Sequence, residues 1–245
     1  METLTYLIYT HSEYDDILEI HLKRLHKHFP TAPLSICTNN KDYIINKYSN
    51  VYKINKIYEY DDSKPYGEKL QSVIEQIDTK YIWFIHDVNI LVGDIDPRII
   101  QNILIYIESN KVDQLRLMIS GIDTPILNSD IQFNKIIANS YYFSVCLAIW
   151  DKTILLDIVT KFKNTMYRDI ENTDVQSYAS KFNSYYLSSN KDTPFVGEGH
   201  YLSHYIPYVH SLYQGRWITS SPTNNKLITD ISNEYSIDLT KRGCK

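Results

Sequence analysis

The sequence predicts an α/β fold with a mainly parallel sheet and helices on both of its faces. Short apolar segments typical of strands alternate with longer segments in which apolar residues recur at helical spacing. One short segment, residues 81–85, is apolar throughout, which indicates a strand covered by helices on both faces. The 245 residues are enough for one globular domain, residues 1–245.

The first third of the chain predicts strands and one helix. Ser12 and Asp15 resemble a capping box, so we expect a helix that starts there and ends before Pro30. β-branched and aromatic residues predict three strands, at residues 3–9, 33–37 and 51–57.

The middle of the chain continues this alternation. A helix with one apolar face is predicted from Pro65, and Asp96 with Pro97 are the residue types expected at the start of another. Asp151 is expected to cap a helix as well, and one more helix is predicted at residues 174–182. Further strands are predicted at residues 112–119 and 141–150.

Composition and charge exclude several classes of protein. With 25 Lys and Arg against 29 Asp and Glu, the chain has no basic face suited to a nucleic acid polymer. Its three cysteines form no CxxC pair, which argues against a disulfide scaffold or zinc cluster and suits a reducing compartment. No segment reaches the roughly 18 apolar residues of a membrane helix, and the apolar N-terminal stretch is too short for a signal peptide. We therefore expect a soluble, cytoplasmic protein without a membrane span.

Polar residues follow the predicted strands, where ligands bind in open α/β sheets. These strand ends are Thr10-His11, residues 38–40, residues 86–89 and the segment after Trp150. Asp87 is the most informative of these residues, because packing alone does not explain a carboxylate directly after a fully apolar strand. Asp87 and Asn89 would point the same way from an extended segment, so their oxygens could bind a divalent cation together with nucleotide phosphates.

Other readings of the acidic residues remain open. Asp87 could be a turn or cap aspartate. A literal Asp-x-Asp occurs at Asp94 and Asp96, but Asp96 is already explained as a helix cap before Pro97. The sequence favours Asp87 with Asn89 as the site.

The run from Lys69 to Asp87, KLQSVIEQIDTKYIWFIHD, resembles the central block of GT-A-fold glycosyltransferases. In that family an amphipathic helix precedes a buried strand that ends in an acidic DxD-type motif. Weaker similarity covers most of residues 3–175, and the pattern is closest to small single-domain enzymes of surface-glycan synthesis, including those of large DNA viruses. The resemblance implies a GT-A-like (Rossmann-like) fold whose residues 1–110 bind a nucleotide sugar and whose residues 111–245 bind the acceptor.

The resemblance also implies an activity and a set of site residues. The expected reaction moves a sugar from a UDP- or GDP-sugar to a hydroxyl group of a glycan or other acceptor. Mn²⁺ or Mg²⁺ would assist it, weakly, because Asn89 replaces a carboxylate that many members have. Besides Asp87 and Asn89, the residues implied in nucleotide-sugar binding are Tyr9, Thr10, Thr38, Asn39, Lys69, Arg116 and Arg216.

A late histidine often completes the metal shell in this family, which implies His210 or His204 as a third ligand. The pair His200 and His204 has the spacing of two helical zinc ligands, but the flanking Gly and Pro residues favour a loop there. Arg216 has a second reading too, as part of a turn that precedes a short strand with a core Trp217.

An inverting transfer needs a carboxylate that accepts the proton of the acceptor hydroxyl. Glu171 and Asp169 are the candidates, although both could simply be a solvated acidic helix start. Asn89 motivates a rival function, a degenerate nucleotide-sugar or glycan-binding module. A nucleotidyltransferase is a weaker rival, because residues 10–14 have no Gly-rich, basic loop for a triphosphate.

Overall fold

The computed structural model describes residues 3–117, 119–120, 132–136, 142–144, 147–188, 194–197 and 200–245. Its helices are α1 (Asp15–His28), α2 (Lys41–Tyr48), α3 (Tyr66–Ile74), α4 (Pro97–Asn110), α5 (Lys152–Lys161), α6 (Thr173–Ala179) and α7 (Pro222–Tyr235). Short 3₁₀ helices cover Ser12–Tyr14, Tyr167–Asp169 and Leu239–Lys241. Among the helices in these ranges, none is long and apolar enough to cross a lipid bilayer.

The strands in the described ranges divide between one large sheet and three small ones. They are β1 (Leu4–Tyr9), β2 (Leu34–Thr38), β3 (Lys56–Glu59), β4 (Tyr81–His86), β5 (Asn89–Leu91), β6 (Gln114–Arg116), β7 (Ile119–Ser120), β8 (Gln132–Lys135), β9 (Ala148–Asp151), β10 (Ser184–Ser188), β11 (Phe195–Gly197), β12 (His200–Tyr201), β13 (Tyr208–His210), β14 (Leu212–Tyr213) and β15 (Arg216–Trp217).

The large sheet has eight strands in the order β3-β2-β1-β4-β9-β6-β10-β8. β1, β2, β3 and β4 pair in parallel, β6 and β10 run in the same direction, and β9 and β8 are antiparallel to their neighbours. The strand order reverses between β1 and β4, which opens a crevice at the carboxyl ends of these two strands. The predicted mainly parallel sheet is confirmed.

Helices bury both faces of this sheet, as predicted. Side chains alternate along a strand, so Tyr6 of β1 and Trp83 of β4 pack in the apolar cluster of α1, α2 and α4. Leu7 and Phe84 point the other way, into the cluster of α3, α5 and α6. The all-apolar sequence of β4 follows from this double burial.

A third apolar cluster joins α1 to the later part of the chain. Ile17 of α1, Ile90 of β5, Val209 of β13 and Ile228 of α7 all belong to it. β5 and β13 pair antiparallel in this layer, with β13 contributed by a segment more than a hundred residues later in the chain. This pairing brings the late histidine region beside the end of β4.

The start of α1 differs from the prediction. Ser12 begins a 3₁₀ helix instead of a capping box, and Tyr14 precedes α1 without a side-chain cap hydrogen bond. His11 caps the 3₁₀ helix by accepting the N–H of Glu13, and the N–H of Ser12 donates to Asn39. The capping-box prediction was wrong, because the side chain of Asn39 accepts the N–H of Ser12 at this helix start.

Strand bounds also needed correction. Residues 41–48 form the unpredicted α2, capped by Asn40, and the third strand is β3 rather than residues 51–57. Within the described residues, the strand predicted at 112–119 is divided into β6 and β7. The strand predicted at 141–150 is shortened to β9. Residues 118, 141, 145 and 146 lie outside the described residues. β9 is antiparallel in this mainly parallel sheet.

Helix α7 was not predicted, although its sequence carried a usable signal. Ser221 caps the helix by accepting the N–H of Asn224, and Pro222 occupies its first turn. Asp96 and Pro97 have the same roles at α4, where this residue pair led to a correct prediction. Asp151 caps α5 as predicted, and the helix expected at 174–182 is the shorter α6.

Helix α3 approaches the segment after α5 closely at Gly67. A Cβ atom at Gly67 would lie 2.4 Å from the carbonyl oxygen of Phe162 and 2.9 Å from Cα of Lys163. The N–H of Gly67 also donates to the carbonyl oxygen of Thr165 at 3.1 Å. These neighbours are backbone atoms, so a side chain at Gly67 would have to displace the segment itself.

We therefore expect Gly67→Ala to lower the free energy of unfolding by roughly 1–3 kcal/mol, the usual cost of overpacking. Gly93→Ala is the matched control, because its Cβ would meet only side-chain atoms of Pro207, at 3.1 and 3.5 Å. Urea denaturation of both variants measures the difference. An equal loss in the two variants would contradict the close-approach argument.

Candidate active site at the carboxyl edge of the sheet

Asp87 lies directly after β4 and is only 5% exposed. Its carboxylate accepts a hydrogen bond from the hydroxyl of Thr10 at 2.6 Å, and its backbone N–H donates to the carbonyl oxygen of Tyr9 at 3.1 Å. Both partners lie at the end of β1, because the parallel register places Tyr9 opposite His86. The structure therefore brings together two of the four polar strand ends that the sequence pointed to, Thr10-His11 and residues 86–89.

The environment of Asp87 favours its neutral form. Burial raises the pKa of the carboxyl group to about 7, while hydrogen bonds from Thr10 and the Val88 N–H and the charge of Arg242 act in the opposite direction. Among the described residues, Asp87 makes no direct ion pair. A buried carboxylate whose charge is this poorly compensated would gain from a bound cation.

A buried chain of hydrogen bonds holds the backbone of Asp87. The carbonyl oxygen of Asp87 lies 3.0 Å from Nδ1 of His21, and Nε2 of His21 lies 3.1 Å from the hydroxyl of Tyr6. A carbonyl only accepts, so Nδ1 of His21 donates. Burial lowers the pKa of His21 to about 4, so its neutral ring accepts from Tyr6 at Nε2. The hydroxyl of Tyr208 then donates to that of Tyr6 at 2.5 Å, so each proton in the chain has an assigned direction.

Asn89 and His210 are neighbours across the β5–β13 pair. Nδ1 of His210 lies 3.1 Å from Oδ1 of Asn89, and because this oxygen only accepts, Nδ1 carries the proton. Burial, followed by the charges of His200 and His86, lowers the pKa of His210 to about 3, so the ring is neutral. Its Nε2 therefore has a lone pair, as a metal ligand requires.

The other histidine and acidic candidates lie elsewhere. His204 is exposed in a loop, and the ring of His200 lies 5.7 Å from that of His210. Asp94 pairs with Nδ1 of His28 at 2.6 Å, near the end of α1, while Asp96 caps α4. Helix α1 starts at the carboxyl edge and ends at the opposite edge, so the literal Asp-x-Asp lies away from Asp87.

An aromatic cluster that sequence analysis missed surrounds Tyr9. The ring of Tyr9 stacks on that of Tyr60 at 5.1 Å and 2°, and it lies 5.2 Å from the rings of Tyr66 and His86. The hydroxyl of Tyr60 donates to the carbonyl oxygen of Thr10 at 2.8 Å. Tyr167, which is 50% exposed, extends this cluster with its ring 5.1 Å from Tyr66. Tyr60, Tyr66 and His86 are at most 7% exposed, so the accessible aromatic surface of this cluster is that of Tyr9 and Tyr167.

The end of β2 joins the same region through Asn39, and Lys69 of α3 joins it through Asp62, which also contacts His11. The side chain of Asn39 exchanges hydrogen bonds with Ser12, and Thr38 is buried with its hydroxyl accepting the N–H of Asn40. Nζ of Lys69 donates to Asp62 at 2.6 Å. Its charge is therefore compensated by a carboxylate in this state of the protein.

The two candidate bases differ in their surroundings. Asp169 is exposed in the 3₁₀ helix, whereas Glu171 is half-buried just before Asn172, the cap of α6. Burial raises the pKa of Tyr66 well above its usual value, and the charge of Glu171 is among the further causes, after Tyr9, Tyr167 and Cys37. Since Tyr66 lies against Tyr9 and His86, Glu171 is within electrostatic reach of the aromatic cluster around Tyr9.

The two predicted arginines occupy different settings. Arg116 is buried at the carboxyl end of β6, on the same edge of the sheet as Asp87. Arg216 is exposed on the hairpin of β14 and β15, whose turn contains Gln214 and Gly215 with positive φ angles. Trp217 is buried, so the alternative reading of a turn followed by a strand with a core tryptophan describes this segment.

Sequence analysis missed Arg242. Its guanidinium group binds the carboxylate of Asp16 through Nε at 2.8 Å and Nη2 at 2.5 Å, and it lies 4.8 Å from the ring centre of Tyr14. The charge of Arg242 lowers the pKa of Asp87, as noted above. Only the tertiary fold places Arg242 here, since more than two hundred residues separate it from Asp16.

Comparison with known proteins identifies the fold. The chain is similar to S. aureus TarS 1–349 in complex with UDP-GlcNAc, with a TM-score of 0.52 and 12% identity over 98% of this chain and 69% of that one. The same TarS fragment without that ligand gives a TM-score of 0.51, and a longer TarS structure gives 0.50 with 41% of its length covered. No protein-family model and no curated protein matches the sequence. The chain therefore has a GT-A-like α/β fold of the kind seen in TarS.

We expect Asp87 to make the stability of the ligand-free protein depend on pH. Its pKa rises from 3.8 to about 7 on folding, so its contribution to stability is greatest below pH 4 and is lost as pH rises through 7. Asp87→Asn should therefore raise the free energy of unfolding at pH 8 by up to about 4 kcal/mol and flatten the profile between pH 4 and 8. Urea denaturation across this range tests it, with exposed Asp42→Asn as the control. An unchanged profile for Asp87→Asn would contradict the assignment.

Proposed function

We propose that this protein is a GT-A-type glycosyltransferase that moves a sugar from a nucleoside diphosphate donor to an acceptor hydroxyl group. The observation that carries the proposal is Asp87, a buried carboxyl group at the crevice between β1 and β4, with Asn89 and His210 paired beside it. TarS, which shares the fold, has been crystallised with UDP-GlcNAc. A UDP- or GDP-sugar is therefore the donor class that we propose.

The residues present fit a divalent cation. Asp87 lacks a direct ionic partner among the described residues, Asn89 offers an amide oxygen, and neutral His210 offers Nε2. We propose that Asp87 and Asn89 hold Mn²⁺ or Mg²⁺. For His210 to complete the shell its ring would have to turn, because Nδ1 donates to the Asn89 oxygen and Nε2 therefore faces away from it. The described residues contain no cluster of three acidic, histidine or cysteine ligands. Such an ion, when bound, would neutralise charge on the diphosphate leaving group. One carboxylate in place of two makes weak metal dependence the expected behaviour.

The donor would lie along the ends of β1, β2 and β4. The accessible parts of Tyr9 and Tyr167 would contact a nucleobase or ribose, and Thr10 and Asn39 supply polar groups at the same edge. Lys69 would approach the phosphates by exchanging its contact with Asp62 for one with the ligand. Arg116, at the end of β6, would reach the donor sugar or the acceptor.

The acceptor would approach from the side of the 3₁₀ helix that contains Tyr167. In an inverting transfer, Glu171 would accept the proton of the acceptor hydroxyl. The hydroxyl oxygen would attack the anomeric carbon as the nucleoside diphosphate departs. Preorganised groups around the departing diphosphate would supply the largest share of the catalysis. Asp169 remains the alternative base.

A binding module without turnover is the second candidate. Asn89 favours it, because the residue engages His210 and provides no second carboxylate. Such a module would bind UDP or GDP but would release no nucleotide from a sugar donor in the presence of an acceptor. Nucleotide release from a donor panel therefore distinguishes the two functions.

We expect UDP or GDP with Mn²⁺ to raise the melting temperature of the wild-type protein by roughly 5–10 °C at a hundred times Kd. Asp87→Ala should abolish this metal-dependent shift, because it removes the proposed carboxylate ligand. Asp94→Ala is the matched control, since Asp94 pairs with His28 away from the site. Loss of the shift in Asp94→Ala, with Asp87→Ala unaffected, would reverse the assignment.

We expect Glu171→Gln to lower kcat by roughly 10² to 10⁴ while donor affinity survives, because the amide keeps the shape but cannot accept a proton. Asp169→Asn should leave kcat near normal, as its exposed carboxylate lies on the 3₁₀ helix. Steady-state kinetics with an identified donor and acceptor compares the two variants. The opposite ranking would move the role to Asp169, and normal rates in both would rule out these two carboxylates as the base.

A further inference from the structure

We infer that Arg242 is the protein's own cation for the diphosphate of the donor, delivered to the site by the segment that follows α7. This inference rests on the proposed function, because it assigns a residue to the same ligand. The sequence points to Arg216 among the residues implied in nucleotide-sugar binding, but Arg216 is exposed on its hairpin. The position of Arg242 follows from contacts that sequence spacing does not reveal.

Backbone pairing fixes the segment that contains Arg242. The N–H of Trp217 donates to the carbonyl oxygen of Gly243 at 3.0 Å, and the N–H of Lys245 donates to the carbonyl oxygen of Trp217 at 2.8 Å. The N–H of Thr219 donates in turn to the carbonyl oxygen of Lys245 at 3.0 Å. Trp217 is 1% exposed, so the segment is tied to the apolar cluster of α1 and α7. Arg242 thus has a defined position.

Arg242 faces the residues that follow β1. Its Nε and Nη2 bind Asp16, and Nη2 also donates to the carbonyl oxygen of Glu13 at 3.2 Å. The Tyr14 ring covers the guanidinium group, whose side chain is only 19% exposed. These contacts orient the planar group on the stretch that leads from Thr10, the hydrogen-bond partner of Asp87, into α1.

The guanidinium group retains capacity for a ligand. Within the described residues, Nη1 of Arg242 donates to no acceptor, while Asp16 and Glu13 occupy the other nitrogens. Arginine binds phosphate oxygens through such charge-assisted hydrogen bonds. A phosphate could therefore bind Arg242 without displacing Asp16, which would keep the group oriented.

The charge balance of the site calls for such a cation. Asp87, Asp16 and Glu13 are acidic, and a diphosphate would add further negative charge. Lys69 and Arg242 each pair with a carboxylate, Asp62 and Asp16, so both cations are held near this edge of the sheet. Arg242 binds residues 13–16, which follow Thr10, the hydrogen-bond partner of Asp87, so its guanidinium group lies at the same edge of the sheet as the proposed phosphate position.

The test compares the affinity for UDP with that for uridine, with GDP and guanosine as a second pair. Arg242→Gln should weaken UDP binding by about 10- to 100-fold, the worth of a charge-assisted hydrogen bond, and leave uridine binding unchanged. Arg242→Lys keeps the charge but loses the paired contacts with Asp16, so we expect an intermediate loss. Titration calorimetry measures the diphosphates, and ligand-observed NMR measures the nucleosides.

Lys241→Gln is the matched control, because it removes one positive charge from the adjacent, exposed residue. It should bind UDP as the wild type does. If Arg242→Gln fails to fold, the Arg242→Lys comparison decides the question alone. A purely structural role for Arg242 would weaken UDP and uridine binding equally, and that result would overturn the inference.

The outcomes also separate this inference from the function it rests on. Wild-type protein that binds neither UDP nor GDP would contradict the glycosyltransferase proposal, and the role of Arg242 would fall with it. Wild-type protein that binds UDP, together with an Arg242→Gln variant that binds it equally well, would leave the function standing and remove Arg242 from the site.

Discussion

The hydrogen bonds of Asp87 depend on the parallel register of β1 and β4, and the rest of the site is arranged around them. The register sets Tyr9 opposite His86, so that Tyr9 can accept the N–H of Asp87 and Thr10 can donate to its carboxylate. A shift by one residue would turn the side chains of β4 to the opposite face of the sheet. Trp83 would then face α3, α5 and α6 instead of α1, α2 and α4. The apolar packing of both faces therefore also positions the carboxyl group.

Neutral histidines surround this buried acid, and their state follows from desolvation. Burial lowers the pKa values of His21 and His86 to about 4, and that of His210 to about 3. Two of these rings have an assigned proton, because a carbonyl oxygen of Asp87 or Asn89 accepts it. Positive charge is instead brought to this edge by side chains such as Arg242, which binds Asp16 at the start of α1. The candidate site therefore combines buried, neutral histidines with a small number of charged side chains.

Sequence reasoning failed where distant partners replaced local ones. Ser12 and Asp15 have the residue types of a capping box, but Asn39 takes the N–H of Ser12 because β2 ends beside β1. Similarly, β9 runs antiparallel to both of its neighbours in the mainly parallel sheet, a direction that the local sequence pattern did not predict. Helix α7 shows the reverse case, since Ser221 and Pro222 signalled its start locally. These differences left the predicted fold class intact, because it depends on the apolar pattern as a whole.

The sequence by itself determined the α/β class, the double burial of β4 and the position of Asp87 at the end of that strand, because these follow from local patterns of apolar and polar residues. It also singled out His210, through a resemblance. Only the tertiary structure paired His210 with Asn89 and carried Arg242 to Asp16. Strand pairing across more than a hundred residues depends on packing between layers, and no spacing along the chain encodes it.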